Sequence, residues 1–169
     1  MAEDAFGEDV VDDVLDKADL ENDGAYTSVG NYSCSELVKI VEAFSDHSGL
    51  SPEVLQRKFG HWMLDHFGEN YPTFFADKTN SFDMLEAVDQ EIHVEVRKLY
   101  PEAELPKFTT ERKSGSHMQM SYSSPRPLVG FCHGLIEACV ERFDEIALIE
   151  RGETQSHNNG TVFQILMKP

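Results

Sequence analysis

A chain of 169 residues, 40% hydrophobic and 27% charged, has the composition of one soluble globular domain large enough to enclose a ligand. Its formal net charge of −17 repels phosphate at long range and argues against nonspecific binding to DNA, RNA or anionic lipid. Three cysteines (Cys34, Cys132, Cys139) lack the spacing of a zinc knuckle or redox motif, there is no signal-peptide pattern, and no apolar run approaches the ~20 residues of a membrane span, so a cytoplasmic protein is expected.

The acidity is concentrated at the front, where residues 1–23 hold ten Asp or Glu against the single basic Lys17. It reads either as a solvated helical face or as a surface for a basic partner. Val10, Val11, Val14, Leu15 and Ala18 predict a first amphipathic helix after Gly7, ended by the turn "ENDG". Leu37, Ile40, Val41 and Phe44 predict a second, capped by Ser33 or Ser35. Ser51 followed by Pro52 starts a third, with Leu55, Phe59, Trp62 and Met63 as its stripe. A longer helix is predicted over residues 81–99, carrying Leu85, Val88, Ile92, Val96 and Leu99 in one narrow sector. His93 falls about 80° from the centre of that sector, at the rim of the buried face.

The period then changes to two. "KFTTER" and "HMQMSY", joined by "KSGS", read as a hairpin, a helix follows over residues 127–143, and "EIALIE" and "TVFQILM" read as two closing strands. The expected fold class is α+β. A helical front (residues 1–80) packs on a back of long helix and antiparallel sheet (residues 81–169), all within one domain.

Nucleotide-binding, zinc-protease and serine-hydrolase signatures are absent, and His61 and His66 are five apart, the wrong spacing to share a metal easily. Two features remain. Tyr122, Ser124 and Arg126 follow one another at alternate positions at the end of a strand, which sends two hydroxyls and a guanidinium to one side. Pro125 and Pro127 are expected to keep the backbone extended around the arginine. Spacing alone leaves two readings open: ordinary strand-end polar residues, or a clamp for a ligand bearing carboxylates. His93 likewise reads as a boundary residue or as a metal ligand. With no cluster of further ligands in view, ligation would suit a metal already held in a macrocycle, where one proximal histidine suffices.

"HVEVRKLYPEAELPKF" followed by "SYSSPRPLVGFCHGLIEACVERF" resembles the H-NOX family of haem-based gas sensors, and the similarity runs from "FGEDVVDDVL" to "FQILMKP". The resemblance implies haem b (iron protoporphyrin IX) ligated by His93, with Tyr122, Ser124 and Arg126 on its propionates and Pro106 pressing on the porphyrin. It places Phe131 where oxygen-holding members carry a tyrosine. Phenylalanine donates no hydrogen bond, so nitric oxide, with CO, is the expected ligand and O2 is not held stably. It further implies a non-enzymatic sensor in which NO weakens the iron–His93 link and the change is passed to a separate partner, commonly a histidine kinase or a diguanylate cyclase.

Two departures qualify the resemblance. Where the family opens with an apolar stretch that lines the distal pocket, this sequence reads "MAEDAFGED", so a more open distal wall is expected. Some relatives also hold zinc with several Cys and His, for which only Cys139 and His157 could correspond, too few for a closed site. The competing readings are a haem-free acidic interaction module and, more remotely, an enzyme or carrier for a small dicarboxylate with His93 as base.

Overall fold

The computed structural model describes residues 1–27, 30–154 and 159–169. The front begins with two short helices, α1 (Ala2–Phe6) and α2 (Glu8–Lys17), separated at Gly7, whose φ of 88° suits glycine. Helix α1 carries no long periodic pattern and was not expected from the sequence. It is held because the Phe6 ring packs 5.1 Å from that of Phe44 on α3 (Cys34–Ser48). Val14, Phe44 and Leu55 form the buried centre of this front cluster, while the acids of α2 lie on its exposed face. Ser33 caps α3 by accepting the Ser35 N–H, and Gly49, at φ 71°, ends it.

Helix α4 (Pro52–Asn70) starts where the serine–proline pair predicts, with the Ser51 hydroxyl accepting the Val54 N–H at 3.3 Å. It ties the molecule together, placing Leu55 in the front cluster and Leu64 in a larger back cluster. It lies against α7 (Val129–Arg142) at backbone distance. A Cβ at Gly134 would collide with the Arg57 carbonyl, and one at Gly60 with the Phe131 carbonyl.

The predicted 81–99 helix is interrupted. Helix α5 (Ser81–Ala87) passes into a π-helical turn (Val88–Ile92) before α6 (His93–Leu99). Hydrogen bonding from i to i+5 inserts an extra residue into the turn and shifts the phase of everything after it. His93 becomes the buried position while Ile92 is only partly buried, and Leu99, expected within the apolar sector, is 72% exposed. His93 is therefore inside the fold and not at its rim. Continuous apolar spacing concealed the π turn.

The back is a four-stranded antiparallel sheet in the order β1 (Lys107–Ser114), β2 (His117–Ser123), β4 (Thr161–Met167), β3 (Ala147–Arg151). Alternation along β2 turns Met118, Met120 and Tyr122 inward, beside Phe163 and Ile165 of β4. Ile136 and Cys139 of α7 complete that core. Strand β2 ends at Ser123, and the backbone beyond it is bent, not extended as expected. The Ser124 hydroxyl accepts the Arg126 N–H at 3.1 Å, and the Leu128 N–H bonds back to the Arg126 carbonyl. Local hydroxyl bonding of this kind competes with extended backbone even between prolines.

Candidate functional site

His93 is 9% exposed, and its Nδ1 lies 3.0 Å from Oδ1 of Asp89, one turn earlier. Its ring sits 5.6 Å from that of Phe108 on β1, and Phe108 in turn sits 5.5 Å from Tyr122. The register explains the second contact, because Phe108 and Tyr122 are direct partners across the β1–β2 ladder. One aromatic side chain thus bridges the histidine and the strand end.

The Tyr122 side chain is buried, which pushes its pKa up to about 12 against a smaller lowering influence of the nearby Ser124 side chain, so it remains a neutral phenol. Ser124 is buried as well, its carbonyl accepting from the Asn159 amide at 3.1 Å. Arg126 is half-buried, and its guanidinium stands 3.6 Å from the exposed Glu104 carboxylate. Pro106 lies between Glu104 and Phe108 on the segment leading into β1. Phe108 thus links His93 to Tyr122, with Ser124 and Arg126 following on the bend after β2 and Pro106 on the segment before β1. Phe131 sits apart from them on α7, its ring 5.1 Å from that of Phe59 on α4.

Helix α4 and the residue that follows it carry large exposed aromatics: Trp62 (36%) and Phe67 (39%) on the helix, and Tyr71 (48%) just beyond its end. Tyr71 and Phe67 touch edge to face, and Tyr71 continues to Phe74. Exposed rings grouped this way mark a surface that a ligand or partner can cover. A hollow of about 160 Å3 beside Asp89 and Phe108 falls below the roughly 300 Å3 at which small-molecule pockets begin, so it does not seat a macrocycle.

Among the described residues, no three or more Cys, His, Asp or Glu gather into a site for a bare metal ion. The donor types instead suit a metal that brings its own ligands: one buried imidazole with Nδ1 engaged, and, beyond Phe108 at the strand end, two hydroxyls and a guanidinium. Of the residues weighed as zinc ligands, His157 lies outside the described residues, and the buried Cys139 points its thiol at the Ser81 carbonyl, its pKa pushed up to about 12 by burial. Asp89 and Phe108 were not picked out from sequence. Asp89 could have been, since it precedes His93 by four positions on a predicted helix.

The model of the haem-NO-binding family matches residues 1–151. The unliganded Fe(II) H-NOX protein from K. algicida is 32% identical, with a TM-score of 0.92 over 99% of this chain and 91% of that one. The H-NOX from Shewanella woodyi, solved in the Fe(II)CO state with IWP-051 bound, is 39% identical, with a TM-score of 0.82 over 99% and 88%. An H-NOX protein from S. oneidensis in the Fe(II)NO state shares 22% identity and a TM-score of 0.89 over 100% and 94%, a likeness of fold alone. Comparison with curated proteins finds no match.

Proposed function

The chain belongs to the haem-NO-binding family, and on that premise we propose that it is a ferrous haem sensor of nitric oxide, binding CO as well but not holding O2. The observation that carries this reading is the buried His93 ring. Its Nδ1 is taken up by Asp89, which leaves Nε2 as the nitrogen available to a metal. Haem, when bound, supplies the iron that takes the gas and the visible chromophore. His93 would hold the iron. Tyr122, Ser124 and Arg126 would hold the propionates, the guanidinium by charge and the two hydroxyls as neutral donors. Pro106 would press on the porphyrin.

Gas selectivity is assigned to Phe131. Neither it nor Phe59, the ring it packs against, can donate a hydrogen bond. Bound O2 carries partial negative charge and depends on such a donor, whereas NO and CO do not. The relative from S. woodyi was solved with CO on its iron.

Signalling follows from where His93 sits. It is the first residue of α6, directly after the π turn, so displacement of its ring is delivered to that helix and, through Phe108, to β1. A ligand that favours one position of α6 over another biases a two-state element, which a separate partner such as a histidine kinase or diguanylate cyclase can read. The test is the absorption spectrum of ferrous protein in air, under CO and under NO. An intense Soret band that shifts with NO and CO but not with air is expected. A stable oxygen spectrum in air refutes the selectivity, and a colourless protein after haem supply refutes the reading altogether.

A further inference from the structure

The acids of the α5–α6 segment do not share one role. Asp83 and Glu86 both bind Arg112, and Glu91 binds Lys78. Asp89 has no cation among its contacts with the described residues and is directed at an imidazole instead. It lies four positions before His93, within the only stretch of this segment that departs from α-helical bonding. Positions i and i+4 are neighbours on a helical face, and the π turn is where the His93 ring comes to be buried beside that carboxylate.

From this we infer that Asp89 is the positioning residue for His93, a role that rests on the haem reading above. A carboxylate only accepts hydrogen bonds, so the 3.0 Å contact puts the proton of the neutral imidazole on Nδ1 and the lone pair on Nε2. The bond also stops the ring from rotating about its Cβ–Cγ axis. Because the acceptor carries a full charge, it draws the Nδ1 proton toward itself and makes Nε2 a stronger donor than a neutral acceptor would. Asp89 would therefore set how firmly His93 holds an iron, and so how readily a gas ligand weakens that link. The carboxylate is 38% exposed, so its replacement leaves the core untouched.

The test uses full-length, haem-loaded ferrous protein and reads the iron–histidine stretching band by resonance Raman, together with haem affinity. Asp89→Ala is expected to move the band to lower wavenumber and to weaken haem binding roughly 10- to 100-fold. Asp89→Asn, which keeps an oxygen acceptor without the charge, is expected to give a smaller shift in the same direction. A purely structural role for Asp89 would leave the band in place. If the wild-type protein shows the band and both variants keep its position and the affinity, Asp89 is not the positioning residue. A wild type that takes up no haem overturns the haem reading first, and this role with it.

Discussion

Two buried histidines occupy opposite settings. His93 has Nδ1 engaged by a carboxylate and stands where the α5–α6 helix changes its hydrogen bonding. His133, on α7, is 7% exposed, and neither ring nitrogen has a hydrogen-bond partner among the described residues. Its ring packs against Phe163, 3.8 Å from the Glu137 carboxylate, in a seam where Arg57 and His61 of α4 both bind Glu137. Burial therefore does not by itself make a histidine a ligand. What separates the two is an oriented partner on one nitrogen, and His133 instead serves as a neutral wedge between α4 and the sheet.

The sharpest way to break this comparison is to remove each ring. His93→Gly is expected to abolish haem retention while preserving the fold, as read by haem content beside far-ultraviolet circular dichroism. Unchanged haem content would mean that His93 is an ordinary core residue. In the seam, Gly134→Ala drives a methyl into the Arg57 carbonyl and is expected to lower stability by about 1–3 kcal/mol, measured by urea denaturation. A neutral result would show that α4 and α7 do not pack at backbone distance.

Acidification separates the histidines more gently. Burial, and next the Arg57 guanidinium, hold the His133 pKa below its usual 6.5, while Glu137 partly offsets them. The unfolded chain therefore takes up a proton at a pH where the folded chain still refuses one. Stability is expected to fall as pH drops from about 6.5 toward the depressed folded value, with no further contribution below it. His133→Phe should flatten that part of the curve, and an unaltered slope would assign the loss to other groups. Glu137 adds a loss of the same sign at lower pH. Burial pushes its carboxyl up, but hydrogen bonds from Arg57 and His61 carry it below the ordinary carboxylate range. The smallest effect is expected from Phe131→Tyr, which adds one donor and should make a ferrous oxygen spectrum easier to detect.

The parts of this molecule that were legible in the sequence are those governed by short-range pattern. Alternation in "HMQMSY" placed Met118, Met120 and Tyr122 on one face, and the serine–proline start of α4 lies where the local chemistry puts it. The α+β class followed from such elements in order, whereas the family came from the resemblance of the His93 and Tyr122–Arg126 stretches. The π turn was hidden because apolar residues at 88, 92, 96 and 99 fit an unbroken helix, and only the exposure of Leu99 and burial of His93 reveal the phase change. The bend after Ser123 was hidden because prolines suggest extension while a serine hydroxyl quietly offers an alternative bond. Phe108 was missed since its importance comes from cross-strand register with Tyr122, which no single segment discloses. His133 was passed over as one polar residue on an apolar helix. That helix is covered on two sides, by α4 and by the sheet, and this depends on tertiary structure.

The most direct measurement is a titration of apoprotein with ferrous haem, comparing wild type with His93→Gly in the absence and presence of free imidazole. Saturable uptake by the wild type, its loss in the variant and its return with imidazole are expected if the His93 ring holds the iron. Equal uptake and identical spectra in both proteins, with no response to imidazole, would contradict that claim.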